Sequence, residues 1–319
     1  METIGTWWMW AGFFVFVVVA ISIDLLAMEK QGAHKVTMKQ AAAWSAMWFS
    51  MAFVFVAGLW WYLDGAQGRE VANTVSMQFI TGYLVEKSLS IDNIFVFLMI
   101  FSYFAIPPEF QKRALITGII GAIVLRAILI LAGAWLLATF HWLLYVFGAF
   151  LVLTGAKMWL AAGKPPDVES NPVLKLLRRH VRISPQLDGE KLSTLVNGVK
   201  HYTPLFVVLV MIGATDVIFA VDSIPAIFAI TSDPFIVLTA NIFAILGLRA
   251  LYFLLADMAD RFHLLAYGLA MVLVFIGSKM LLIDVYKIPI GTALLVTGGL
   301  IAGSIVASLL SAPKPHTKL

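Results

Sequence analysis

The sequence contains no cysteine. Disulfides, thiolate metal sites and a cysteine nucleophile are excluded together, and nothing follows about redox compartment. Charge is scarce as well: 13% of the 319 residues are Asp, Glu, Lys or Arg, against 61% hydrophobic. Soluble domains carry roughly a quarter charged residues, so this chain could not keep a folded surface wet, and a water-soluble fold is excluded. The N-terminal METIGTWWMWAGFFVFVVVAISIDLL lacks a basic leading region and a small-residue cleavage site. It reads as a retained first span rather than a signal peptide.

What the chain has in quantity is long apolar runs. Crossing about 30 Å of hydrocarbon takes roughly 20 residues, and nine stretches qualify: 6–28, 41–63, 77–104, 112–137, 141–162, 202–230, 235–256, 263–284 and 288–311. The expected fold is an all-α membrane protein of about nine transmembrane helices. Pro107-Pro108 stops the third stretch and Ser232-Asp233-Pro234 marks the turn after the sixth. With the N-terminus outside, the inner loops hold Lys30, Lys35, Lys39, Lys112, Arg113, Lys164, Lys175, Arg178, Arg179, Arg182, Lys191, Lys200, Arg261, Lys314 and Lys318, and the outer loops only Arg69 and Lys287. That bias predicts an outside N-terminus and a cytoplasmic C-terminus. Trp7, Trp8, Trp10, Trp60 and Trp61 at outer ends suit an aromatic belt.

The segment 163–201 is the only sizeable polar piece. Asn171-Pro172 has the form of an N-cap followed by proline at the first helical position, and VLKLLRRHVR alternates leucine with basic residues at helical spacing. It is either a solvated basic connector or a helix lying on anionic headgroups.

The chain also repeats itself. EKSLSIDNIF (86–95) aligns with DVIFAVDSIP (216–225), VLRAI (124–128) with GLRAL (247–251), and FHWLLYVFGAFLVLTGAKM (140–158) with FHLLAYGLAMVLVFIGSKM (262–280). Glu86 thus falls on Asp216, Asp92 on Asp222, Asn93 on Ser223 and Arg126 on Arg249. His141, Tyr145, Gly155, Lys157 and Met158 recur as His263, Tyr267, Gly277, Lys279 and Met280. The register drifts only from 130 to 122 residues across the match. Each unit holds three spans, an odd number, so the second must cross in the opposite sense. The organisation expected is therefore 1–76, two leading helices; 77–162, a first three-helix repeat; 163–201, a cytoplasmic basic loop; 202–284, an inverted second repeat; and 285–319, a last helix and tail. Inverted repeats recur in secondary transporters, with the substrate near the midplane between units. Duplication without a transport role is the plainer alternative.

Ionised side chains at the bilayer centre cost about 2.5–3.5 kcal/mol on insertion scales. Glu86 and Asp92 lie mid-way along the third stretch, Asp216 and Asp222 mid-way along the sixth. Glu86 and Asn93 are seven residues apart, as are Asp216 and Ser223, so each pair shares a helix face, with Ser90 between the first two. Glu86 and Asp92 point roughly 240° apart around a helix, so one straight helix cannot bring both carboxylates together, whereas two crossing inverted helices can. Pro225 weakens the backbone ladder just after Asp222 and can free carbonyls as ligands. The competing reading is a set of structural ion pairs, with Lys87, Arg126 and Arg249 as counter-charges. Asp24 sits near the inner end of its span.

Carboxylate, amide and hydroxyl oxygens suit hard cations such as Mn²⁺, Mg²⁺ and Ca²⁺. His34, His141, His180, His201, His263 and His316 all fall outside the central stretches, which disfavours copper and zinc. A methionine such as Met99 or Met211 could favour Mn²⁺, though core packing explains most methionines. Lys157 and Lys279, near span ends, are placed to snorkel. The expected site is Asp92, Asp222, Glu86, Asp216, Asn93 and Ser223 for the metal, with Arg126, Arg249 and Lys87 as gating charges. No prosthetic group and no nucleic-acid partner are expected.

GYLVEKSLSIDNIFVF (82–97) and DVIFAVDSIPAIFAITSDPFIVLTANIFAILGLRALYFLL (216–255) resemble the signature segments of the TerC family, most closely its Alx branch, and the likeness runs from the first span through the eighth. The resemblance implies a bacterial inner-membrane protein, a family associated with tellurium resistance and with manganese export, and places its acidic positions at Glu86, Asp92, Asp216 and Asp222. The family pattern has a glutamate three residues before the first aspartate of the second segment; here Gly213 stands there. Two further classes remain beside transport. An intramembrane aspartyl protease would need a Gly-x-Gly-Asp signature, which is absent, so no enzyme is expected. A non-transporting partner in a metal-stress or tellurium-resistance complex stays open.

Overall fold

The computed structural model describes residues 3–31, 37–162, 168–169, 171–196, 198–256, 264–286 and 288–311, without the side chains of 25, 27–31, 92 and 113. His34, Lys35, Lys164, Arg261, His263, Lys287, Lys314, His316 and Lys318 lie outside the described residues, as do the side chains of Lys30, Asp92 and Arg113. Eleven helices are described: α1 (Trp7–Gln31), α2 (Met38–Ala66), α3 (Arg69–Tyr103), α4 (Pro108–Thr139), α5 (Leu143–Ala161), α6 (Pro172–His180), α7 (Pro204–Phe228), α8 (Pro234–Leu246), α9 (Leu248–Ala256), α10 (Leu265–Leu281) and α11 (Ile290–Leu310).

All nine apolar stretches fall on helix, with α8 and α9 together covering the seventh. Six helices (α1, α2, α4, α5, α7 and α11) are long and apolar enough to cross a membrane, and α8 with α9, bent by 42°, would make a seventh. The other two differ for local reasons: α3 carries Glu86, Lys87 and Asp92 in its middle turns, and α10 has 17 residues.

Caps set the boundaries. The Thr37 side chain accepts from the Gln40 amide, and the Gln40 side chain accepts in return from the Thr37 amide, a capping box. Pro108, Pro172, Pro204 and Pro234 occupy first helical turns, where a missing N–H leaves nothing unpaired. Asn171 caps α6 by accepting from the Val173 amide, as its sequence predicts. Asp233 caps α8 through the Phe235 and Ile236 amides and also accepts from Thr3 Oγ1 and the Ile4 amide, tying the chain start to α8.

The segment between α5 and α7 departs from the all-helical expectation. Besides α6 it forms an antiparallel hairpin, β1 (Ser193–Val196) with β2 (Val199–Tyr202). The signal was present in the sequence: Asn197-Gly198 between STLV and VKHY is the residue pair that tight hairpin turns demand, and Gly198 has φ +75°. Upstream of the hairpin, hydrogen bonds from Thr194 and Lys191 hold the Asp188 carboxyl below the usual range.

The core is organised around α8, every residue of which is buried. A helix surrounded on all sides is apolar on all sides, as PFIVLTANIFAIL is. Phe235 and Phe243 on α8 make tilted and edge-on contacts with Phe13 of α1 and Phe55 of α2, and Phe243 with Phe79 of α3. A second apolar cluster joins Phe97 and Phe101 of α3 to Met211 of α7 and Tyr252 of α9.

Helices α5 and α10 run antiparallel in close contact, and positions equated by the sequence repeat make equivalent contacts. A Cβ on Gly155 would lie 2.8 Å from the Ala270 carbonyl oxygen and 3.0 Å from the Val274 nitrogen; one on Gly277 would lie 2.7 Å from the Gly148 carbonyl oxygen and 2.9 Å from the Val152 nitrogen. The start of each helix is tied to the end of the other. The Tyr145 hydroxyl donates to Asp284, and that of Tyr267 donates to the Ala162 carbonyl oxygen at 3.3 Å. Glycine is required at 155 and 277 because the backbones touch.

Gly155→Leu and Gly277→Leu should therefore each destabilise the protein by a similar amount, about 1–3 kcal/mol as for overpacked cores. Gly291→Leu, where an added Cβ meets nothing within 4 Å, should change little; midpoints of detergent unfolding titrations make the comparison.

Candidate functional site

Three long helices, α3, α4 and α7, meet where the sequence placed its charges. Arg126 on α4 is wholly buried. Its guanidinium is paired with Glu86 of α3, and its Nη2 donates to Asp216 Oδ1 of α7 at 3.1 Å. Nη1 also lies 3.4 Å from Ser223 Oγ. Glu86 is fully buried and Asp216 nearly so. One cation thus bridges two acids that the repeat equates, and the group carries one net negative charge. Among the described residues, Glu86 Oε2 and Asp216 Oδ2 are buried without a hydrogen-bond partner, as is Ser90 Oγ one turn along α3. Unused acceptors at buried carboxylates are costly unless another cation or donor visits them.

A second group lies beside it. Asp222 of α7 and Asn93 of α3 line one cavity of about 260 Å³ together with Leu89, Thr154, Lys157, Met158 and Phe219. Thr154 Oγ1 is 3.4 Å from Asp222 Oδ1. Pro225, within α7, leaves the Val221 carbonyl without its helical donor, next to Asp222.

The remaining charges have other placements. Arg249 of α9 pairs with Asp24 of α1 rather than with the repeat acids, so Asp24 is part of an interhelical ion pair. Lys87 Nζ donates to the Ala244 carbonyl at 3.1 Å, near the end of α8, where the chain bends into α9. A cation suits a helix C-terminus. Gly247 at the bend makes the approach possible, since a Cβ there would lie 2.9 Å from Lys87 Nζ.

Of the nine predicted site residues, the structure brings Glu86, Asp216, Ser223 and Arg126 together in one network and Asn93 and Asp222 together in the adjoining cavity. Arg249 and Lys87 stand apart from both, and the side chain of Asp92 lies outside the described residues. No group of three acidic or histidine side chains gathers as a metal cluster among the described residues. Thr154, Lys157 and Met158 were not singled out as site residues. The methionine at the cavity is Met158, while Met211 is packed in the core. The available clue was the exact recurrence of Gly-x-Lys-Met in both repeats, read at first as span-end chemistry.

Comparison with known proteins bears on this arrangement. The model of the TerC family of integral membrane proteins matches residues 71–316, a range containing every acid and arginine of the two groups just described. The chain belongs to the TerC family. Among its relatives, a Salmonella typhi protein whose name proposes a membrane-bound redox modulator, Alx, is 54% identical over 306 residues, 96% of this chain and 95% of that protein. The Alx protein of Escherichia coli K12 is 52% identical over the same length, and an uncharacterised membrane protein of Myxococcus xanthus is 49% identical over 313 residues. No solved structure matches. In this TerC chain Gly213 is exposed, and a Cβ there would meet nothing within 4 Å.

Removing the shared cation exposes the electrostatics. Arg126→Met should destabilise the protein by about 3–5 kcal/mol, the usual result of stranding buried charge. Adding Glu86→Gln and Asp216→Asn to it should recover most of that loss, as read by unfolding midpoints of the single and triple variants.

Proposed function

We propose that this TerC-family protein is a secondary transporter that exports a divalent cation, Mn²⁺ first among the candidates, through a midplane site between two inverted three-helix repeats. The observation that carries the reading is the single buried guanidinium held between Glu86 and Asp216, the acids that the repeat equates. A +1 group in that position resembles an internal substitute for cargo. When a divalent ion approaches, the unpartnered Glu86 Oε2 and Asp216 Oδ2 offer hard oxygen ligands, and Arg126 can be released as the ion is taken up. When the ion leaves, Arg126 returns and compensates one of the two carboxylates.

The inverted repeat draws support from the α5–α10 pair. A two-fold operation that exchanges Gly155 with Gly277, Val152 with Val274 and Tyr145 with Tyr267 reproduces the contacts on both sides. In this reading all nine apolar stretches cross the bilayer, α8 and α9 forming one broken span. Broken spans adjoin substrate sites in transporters because they supply free helix ends. Lys87 at the α8 terminus would act as a second tethered cation. The Asn93–Asp222 cavity, with Thr154 and the thioether of Met158, is the approach to the site. Asp92, aligned with Asp222, completes it, and Arg249 of α9, paired with Asp24 of the first span, gates it.

The same topology puts the N-terminus outside and the C-terminus in the cytoplasm, in a bacterial inner membrane. Proton antiport would use the same carboxylates, which accept protons when the metal departs. The protein would be no enzyme, and Mn²⁺ its cargo rather than a prosthetic group. The redox role in the relatives' name, carried over to this cysteine-free chain, cannot run through its own thiols; a redox-active cargo would supply it. The second reading, a non-transporting partner, has no comparable observation behind it.

Everted vesicles from cells producing the protein should accumulate Mn²⁺, and the Asp92→Ala, Asp222→Ala double variant should lower uptake at least about tenfold, the effect of some 1.4 kcal/mol on the limiting barrier. Undiminished uptake in that variant would remove the basis of the proposal. Gly213→Glu, for which the structure has open space, should fold normally and raise flux by adding a third acid on the Asp216 side of α7. Flux comparisons of Mn²⁺ with Mg²⁺ and Ca²⁺ in liposomes across a pH gradient give selectivity and coupling together.

A further inference from the structure

The segment between α5 and α7 takes no part in the transport reading, yet it concentrates positive charge in one place. Arg178, Arg179 and His180 close α6, Arg182 follows, and His201 comes from β2, which a bridge between Ile183 and Tyr202 holds beside them. These residues line an open cavity of about 600 Å³ with Val181 and Ile183 as its only apolar walls. Part of the charge has a local use: cations in the last turn of α6 offset the helix dipole, and Arg178 is paired with Glu169 at 3.8 Å. Arg179 and Arg182 make no ion pair among the described residues. Three guanidiniums and two imidazoles around one hollow form a receptor for a phosphate group, whose oxygens match the guanidinium fork.

We infer that this cavity binds the phosphate of an anionic lipid headgroup and docks the segment on the membrane surface. Two observations favour lipid over a free phosphate. Arg178 Nη2 donates to the Tyr103 hydroxyl at 3.1 Å, and Tyr103 is the last residue of α3. A tyrosine at a helix end sits at headgroup depth, so the cavity opens at that level. The same segment also exposes large apolar side chains, Leu176 on α6 and Leu195, Val196 and Val199 on the hairpin, with Leu195 73% exposed. Cationic side chains beside exposed aliphatic ones are the pattern of interfacial elements. Lys175 and Lys200, both exposed, lie on the same segment but outside the cavity.

The test uses the full-length protein in bilayer discs containing phosphatidylglycerol and phosphatidylethanolamine, with lipids retained after extraction counted by native mass spectrometry. Arg179→Gln with Arg182→Gln should weaken phosphatidylglycerol retention about thirtyfold, at about 1 kcal/mol per basic residue near a lipid surface. Phosphatidylethanolamine retention should not change. Lys175→Gln with Lys200→Gln, the same loss of charge, should have little effect. Should the first double variant fail to express, Arg179→Gln alone should give about a fivefold loss. Unchanged retention, or an equal fall in the lysine variant, overturns the site. Displacement of the lipid by millimolar inorganic phosphate would assign the cavity to a soluble anion instead and overturn the lipid docking.

Discussion

The rest of the structure depends on a guanidinium surrounded by carboxylates where water does not reach. A buried ion is tolerated only when an opposite charge meets it with good geometry. Arg126 meets that condition twice over, by contacts to Glu86 and to Asp216, and so fixes the mutual positions of α3, α4 and α7. The apolar packing around them is suited to the task without being specific to it: phenylalanine clusters hold α8 among α1, α2 and α3, but many sequences would do that. Placing two acids from separate segments on one cation needs those three residues.

The frame around this network has a feature that a purely structural ion triad would not need. Two acids and one base leave a net negative charge, and an oxygen of each acid has no hydrogen bond. If the network served only to hold helices together, a one-to-one pair with all acceptors satisfied would be more stable. Arg249 with Asp24 is a one-to-one pair, on the neighbouring broken helix. The contrast separates the two repeat-equivalent arginines by use. One sits between acids from both repeats, the other ties the second repeat to α1. Equivalent sequence has acquired unequal surroundings.

Much of this was legible in the sequence, and the limits have physical causes. The helices followed from run length because a bilayer imposes one, and the cap at Asn171 and the turn at Asp233-Pro234 followed from local chemistry. Pairing Glu86 with Asp216 followed from the repeat. The partner of each arginine did not: helix periodicity gives the face on which Arg126 and Arg249 lie, while their contacts depend on the bend at Gly247 and on the tilt of α4, neither of which a one-dimensional pattern encodes. The bend was hidden inside an unbroken apolar run, since Gly247 costs a helix only about 1 kcal/mol and resembles any tolerated glycine. The hairpin is marked more weakly still: Asn197-Gly198 is a turn signal of only two residues, set among the basic residues of 163–201.

Gly213 shows how the network's charge balance shapes this chain's behaviour. A third acid beside Asp216 would bring the group to three carboxylates, and an added carboxylate attracts a divalent ion more strongly than a monovalent guanidinium. Without it, Arg126 leaves a single uncompensated charge, and the arginine-held arrangement gains on the metal-held one. The open space at Gly213 means that a side chain there would be accommodated without repacking, so that its effect would be one of charge. On the transport reading proposed above, a chain with glycine here should bind its cation more weakly and release it more readily than the Gly213→Glu variant. For the exporter proposed above this would be a change in working range rather than a defect, because weaker binding would confine turnover to conditions in which the cytoplasmic ion is plentiful.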